Sequence, residues 1–178
     1  MNVFILNTGR CGSTTFIQAC RHISNYSAGH ETNIHRIGAE RLLYADNHIE
    51  ADNRLSWMLG RLDRRYGDSA YYVHLRRDRD STARSFARRM DFGIMKAYRD
   101  GILLGGEKDQ AALDIAQDYI ETLETNIALF LRDKKNRMDF RLEHAGEDFR
   151  IFWDSIRAEG DLESALLEWQ TRHNASGA

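Results

Sequence analysis

Proline is absent from the 178 residues, where average usage of ~5% gives about nine. The usual helix breakers are missing, so Gly, Asn and Asp must supply the turns. Cysteine is nearly absent too: Cys11 and Cys20 alone exclude a disulfide framework and a four-ligand zinc site. No apolar run approaches the ~18 residues of a membrane-spanning helix. The opening stretch from Val3 to Leu6 is too short for a signal-peptide core, and no basic residues precede it. Together with the scarce cysteine, that predicts a reducing, cytoplasmic setting. Net charge is small, -2 from 25 Lys+Arg against 27 Asp+Glu. With a pI near 6.4, a generally basic nucleic-acid surface is excluded and no nucleic-acid partner is expected. What is present is an ordinary globular composition, 42% hydrophobic and 29% charged. The length suits one domain, 1–178, with a real core. No repeat, low-complexity stretch or linker divides it.

Hydrophobic patterning predicts strands alternating with helices. Val3–Leu6, residues 70–75 and residues 138–142 read as buried strands. Phe16, Ala19, Cys20 and Ile23 recur at helical spacing. So do Leu55, Met58, Leu59, Leu62 and Tyr66, with Gly67 at the stop. Ala83, Phe86, Ala87 and Met90 form a further stripe, with Asp80 placed to cap it. The longest stripe runs from Ala112 to Leu131. Two terminal helices carry Phe149, Phe152, Trp153 and Ile156, then Leu162, Ala165, Leu166 and Trp169. Residues 24–53 are polar and rich in His and Asn, and their periodicity assigns no element. The alternation predicts an α/β fold, a parallel sheet covered by helices.

The segment Asn7-Thr8-Gly9-Arg10-Cys11-Gly12-Ser13-Thr14-Thr15 leaves a strand and opens a helix. That context suits an anion: successive backbone N–H groups plus a positive helix end. Gly9 and Gly12 allow tight turning, Ser13, Thr14 and Thr15 add hydroxyl donors, and Arg10 adds a planar fork of donors. The loop is not a Walker A motif, because Asn7 stands at the first glycine's place and Ser13 at the lysine's. Nor is it a dinucleotide fingerprint, since Gly-x-Gly-x-x-Gly is missing. A plain glycine turn is the bland alternative. Cys11 reads as a small loop residue, whose thiol pKa the helix start can lower.

The second strand ends in Leu75-Arg76-Arg77-Asp78-Arg79-Asp80-Ser81-Thr82-Ala83-Arg84-Ser85. Ligands gather at the carboxyl ends of parallel strands, which brings Arg77 and Ser85 into question as a clamp for one phosphate. Arg84, Arg88 and Arg89 read instead as a solvated helix face paired with Asp78 and Asp80.

The two segments together resemble the sulfotransferases that use 3′-phosphoadenosine 5′-phosphosulfate (PAPS). In that family a strand–loop–helix with a Gly-Ser/Thr-Thr core binds the 5′-phosphosulfate. An Arg ending a later strand, with a Ser eight residues on, holds the 3′-phosphate. The resemblance implies a P-loop NTPase-like architecture and donor contacts at Arg10, Cys11, Gly12, Ser13, Thr14, Thr15, Arg77 and Ser85. It also implies a small-molecule, glycan or lipid acceptor, in-line transfer of a sulfuryl group to its hydroxyl or amine, and no metal. Phe140-Arg141-Leu142-Glu143 resembles the family's last-strand ending. Trp169 with His173-Asn174-Ala175-Ser176 resembles the C-terminal end of some bacterial members. A catalytic Glu after the second strand points to Glu31 as the base; members that use His point to His30. The alternative for Glu31 is a solvated loop carboxylate. Arg10 is expected to stabilise the leaving phosphate.

His48 and Glu50 are candidate acceptor contacts, and Asp52 or Asn53 a helix cap. Tyr98 and residues 91–106 read either as an acceptor lid or as an exposed connection. His30, Glu31 and His35 do not form a zinc motif, because five residues turn a helix about 140° past one full turn. The rival readings are a small P-loop kinase of a nucleoside or metabolite and a non-catalytic nucleotide-binding module.

Overall fold

The computed structural model describes residues 1–170. Its centre is a five-stranded, all-parallel sheet, as the alternation of strands and helices predicts. The strands are β1 (Val3–Leu6), β2 (Ser27–His30), β3 (His48–Ala51), β4 (Tyr71–Arg76) and β5 (Arg137–Arg141). Their spatial order is β2-β3-β1-β4-β5. The helices are α1 (Ser13–Cys20), α2 (Leu59–Tyr66), α3 (Arg79–Ala87), α4 (Gly93–Ala97), α5 (Ala112–Leu131), α6 (Ala145–Ser155) and α7 (Leu162–Leu167).

Period-2 alternation sorts β1 between two cores. Val3 and Ile5 join Phe16 of α1, Phe140 of β5 and the α6 aromatics Phe149 and Phe152 on one face. Phe4 and Leu6 join Leu62 of α2, Tyr72 of β4 and Ile127 of α5 on the other. A third cluster packs α3, through Ala83 and Phe86, against Tyr119, Ile120 and Leu123 of α5. Phe16 is fully buried and meets Phe140, Phe149, Phe152 and Trp169 with ring centroids 4.9–5.8 Å apart. Truncation at such a site costs about 3–5 kcal/mol.

Two strands come out of the stretch that periodicity leaves unassigned. β2, with sequence SAGH, is an edge strand and needs little apolar surface. β3 does alternate, as His48-Ile49-Glu50-Ala51, but it is only four residues long and wholly buried, with His48 and Glu50 turned inward as well, so the pattern is too short to assign a strand. β3 also lies between β2 and β1. Asp52 does act as a cap, on a short 3₁₀ turn at Asn53–Trp57 that precedes α2. The cap of α3 is Asp78, not Asp80: its carboxylate accepts from the Ser81 N–H at 2.8 Å, while Asp80 is already in the first turn.

The strand order decides where a ligand can sit. From β1 the chain moves outward to β2, returns to β3, then crosses to β4 on the other side of β1. β1 is therefore the switch point, and the crevice beyond its carboxyl end is where parallel α/β sheets bind ligands.

Candidate functional site

The loop after β1 is built from inside by Asn7. Its side chain accepts from Gly9 N–H at 2.8 Å and donates to Ile5 C=O at 2.9 Å. Ser56 and Tyr119 tie the same loop down through the carbonyls of Asn7 and Thr8, at 3.0 and 2.7 Å. Gly9, Arg10 and Gly12 all take positive φ, at 93°, 60° and 88°. A Cβ on Gly12 would lie 2.8 Å from Leu142 Cδ1, so this position has no room for one. The turn opens directly into α1, whose first amides have no carbonyl of their own helix to bond. Ser13, Thr14 and Thr15 all line a cleft of about 740 Å³ at that helix start.

The second predicted loop closes on the first. Arg10 Nε donates to Ser85 Oγ at 3.0 Å, and Arg77 donates to the Arg10 carbonyl at 3.3 Å. Arg10, Gly12, Arg77 and Ser85 thus share one cleft. Burial pulls the Arg10 guanidinium pKa down, and Arg89, Arg77 and Arg88 pull it down further by like charge. Packing positive groups together is unfavourable unless negative charge joins them. Among the described residues, neither Arg77 nor Arg88 has a carboxylate within ion-pair distance. Among the described residues that line the cleft, five are arginines (Arg10, Arg54, Arg77, Arg88, Arg89) and one is a carboxylate, Glu31.

The far wall comes from β2 and β3. His30, the last residue of β2, sits with Nε2 3.0 Å from Ser13 Oγ. Glu31 follows at φ 55°, and its carboxylate accepts from Arg54 at 2.9 Å. Both line the cleft, as do Asn53 and Arg54 just after β3. Phe86, Phe92, Ile94, Met95, Leu142 and Trp169 make the apolar part of the wall.

Several expectations change. His48 and Glu50 do not face the cleft. They lie on β3, 9% and 0% exposed, bonded to each other at 2.9 Å with Tyr44 stacked on the imidazole, so neither can touch an acceptor. Cys11 turns its thiol into the core, 2% exposed, against Thr8 Oγ1 at 3.2 Å and Gly9 C=O at 3.0 Å. Burial pushes that thiol up to about 11 rather than down. Arg88 and Arg89 line the cleft, Arg88 while also exposed to solvent, and Arg84 stays exposed beside Ser81 outside it. Tyr98 is buried on Asp118 and Thr122 and is no lid; Phe92 to Met95 of the same segment do reach the cleft. Arg54 and Asn53 carry no motif, and their place in the cleft is visible only once β3 is placed. Trp169 lies in the wall, while His173, Asn174, Ala175 and Ser176 fall outside the described residues.

No family model, curated protein or solved structure matches this chain.

Proposed function

We propose that the cleft binds adenosine 3′-phosphate 5′-phosphosulfate and transfers its sulfuryl group to an acceptor hydroxyl or amine. The observation that carries this reading is the meeting of the two loops at Arg10. Ser85 and Arg77, 75 and 67 residues away in sequence, both bond to that one residue. The site therefore offers two anion positions side by side, one at the start of α1 and one at the end of β4. A donor with a 5′-phosphosulfate and a separate 3′-phosphate matches that pair, and its purine has the apolar wall to lie against.

In the proposed reaction the acceptor oxygen bonds to sulfur as the bond from sulfur to the 5′-phosphate oxygen breaks. The acceptor proton passes to the Glu31 carboxylate, and the leaving phosphate keeps the electron pair. Arg10, the Ser13 and Thr14 hydroxyls and the first amides of α1 receive that developing charge. Arg77 and Ser85 hold the 3′-phosphate, with Arg88 and Arg89 adding field. Arg54 orients Glu31 by the ion pair at 2.9 Å. His30, bonded to Ser13 at 3.0 Å, is the alternative proton acceptor.

The test is selective binding. Adenosine 3′,5′-bisphosphate at a hundredfold excess over its Kd stabilises by about 2.7 kcal/mol, about 7 °C in Tm for a chain of this size. AMP and ATP at the same concentration should give clearly less, and Arg77→Ala should remove most of the difference. Equal shifts with ATP refute the reading in favour of a kinase. Glu31→Gln should leave the bisphosphate shift intact and cut turnover by about 10²–10⁴-fold.

A further inference from the structure

β3 and its extension bury two carboxylates that the cleft does not use. Glu50 and Asp52 are both 0% exposed, and in extended backbone residues two apart share a face. A buried carboxylate is costly unless it is fully bonded, and each of these is. Glu50 Oε2 meets His48 Nε2 at 2.9 Å, and His48 Nδ1 meets Ser27 Oγ at 2.8 Å. Asp52 pairs with Arg41, which is 3% exposed. Each carboxylate then spends its remaining oxygen on one backbone amide. Glu50 Oε1 accepts from Thr32 N–H at 2.7 Å, and Asp52 Oδ1 accepts from Arg54 N–H at 2.8 Å.

The amides they take are telling. Thr32 follows Glu31, a non-glycine residue held at φ 55°. Arg54 is the residue whose guanidinium grips Glu31. So one buried carboxylate fixes each half of the Glu31–Arg54 pair, and neither lines the cleft. Gly29 supports this. A Cβ there would fall 2.1 Å from Thr32 Oγ1, 2.9 Å from Glu50 Oε2 and 3.1 Å from His48 Cε1, so the strand leaves out a side chain to let the network close.

We infer that Glu50 and Asp52 are positioning residues, which hold the Glu31 turn and the Arg54 side chain in register for proton acceptance at Glu31. This rests on the proposed role of Glu31, and it assigns His48 and Arg41 as the groups that bond the other oxygen of each carboxylate in the interior.

Three measurements on the full chain test it. Thr32 is an exposed residue, so its amide exchanges near the free-peptide rate unless Glu50 holds it; in the wild type we expect about 100-fold protection. Glu50→Leu removes the acceptor and should bring that protection to near zero. Glu50→Gln keeps a carbonyl acceptor and should retain most of it. Turnover with PAPS and an acceptor hydroxyl should fall in Glu50→Leu about as far as in Glu31→Gln. The double variant should be no slower than either single one, because both remove the same function. The adenosine 3′,5′-bisphosphate shift should be the same in all of these variants. An unprotected Thr32 amide in the wild type overturns the inference even if Glu50→Leu fails to fold. Multiplying losses in the double variant also overturn it. If the bisphosphate shows no preference over AMP, the sulfotransferase reading fails, while Thr32 exchange still decides whether Glu50 holds the turn.

Discussion

His74 makes the fold sensitive to acid in a way that can be worked out. It lies in β4 between Val73 and Leu75, 4% exposed. Burial is the main cause that lowers its pKa, from 6.5 to about 4, and Arg76 two residues along adds to it. Asp139, its neighbour across the β4–β5 register, pulls the other way but weakly. That carboxylate is 3.6 Å away and its side chain is 77% exposed, so water screens it. The imidazole is thus neutral in the fold and free to charge once the chain unfolds.

The sign follows from the depressed value. Between pH 6.5 and about 4 the unfolded chain binds a proton that the native protein refuses. The contribution of His74 is complete above pH 6.5 and is lost as pH falls through this window. Linkage with these two values gives a loss of about 2 kcal/mol by pH 5, about 5 °C in Tm for a chain of this length. The assay is a thermal scan at pH 7.5 and pH 5.0 of the wild type and His74→Gln. The six other histidines and all carboxylates are common to both proteins, so the difference of differences isolates His74. The variant should lose about 5 °C less than the wild type on acidification. Parallel Tm–pH lines for the two proteins would refute the reasoning, because His74 would then titrate alike in both states.

Glycine substitutions should split by position. Gly12→Ala forces a side chain to φ 88° against Leu142 Cδ1 at 2.8 Å, and should cost about 1–2 kcal/mol from the backbone conformation alone and weaken anion binding. Gly60→Ala, inside α2 with nothing within 4 Å of the added carbon, should stabilise by about 0.5–1 kcal/mol; urea midpoints check both. Cys11, pushed to about 11 and 2% exposed, should resist iodoacetamide at pH 8 in the native protein and react once the chain is denatured. Rapid native labelling would contradict its inward orientation.

How much of this was legible depends on where each residue sits. The loop after β1 could be read as a turn opening a helix because its residue types stand out locally: glycines, an arginine and hydroxyls beside an apolar strand. Arg77 was legible from its place at a strand end and Ser85 from its spacing into the helix that follows, though only the fold brings them to Arg10. β2 and β3 were not legible, because one is an edge strand and the other buries a polar network. Period-2 hydrophobicity needs several apolar positions on one face to be read, and β3 offers only Ile49 and Ala51 while β2 offers only Ala28. The same failure led His48 and Glu50 to be read as acceptor contacts, where the fold buries them beneath the Glu31–Thr32 turn. The cleft-lining position of Arg88 and Arg89 was missed for another reason. A helical stripe extends past Ala87 on paper, but α3 stops there, Arg88 is its C-cap, and the chain turns. The face of a helix says nothing about residues beyond its end.

Backbone conformation singles out the same two residues that the chemistry does. Arg10 and Glu31 are non-glycine residues with φ of 60° and 55°. The other non-glycine residues in that region, Asn47, Leu104, Asp109 and Arg157, all lie on exposed turns away from the cleft. The left-handed conformation costs a side-chain-bearing residue about 1–2 kcal/mol relative to glycine. Arg10 also endures like charge from Arg89, Arg77 and Arg88. Glycine would relieve both, and if the proposed function holds, the charged side chain is kept for the anion it binds. Arg10→Gly should then abolish the shift produced by adenosine 3′,5′-bisphosphate, while the Tm of the ligand-free protein rises to the extent that relief of backbone and like-charge strain exceeds the loss of the side chain's contacts, the Ser85 bond among them. Opposite signs in the two measurements mark a residue kept at a cost to stability. A lower ligand-free Tm together with an undiminished bisphosphate shift would make Arg10 a structural strut, and the two loops would then need some other reason to meet.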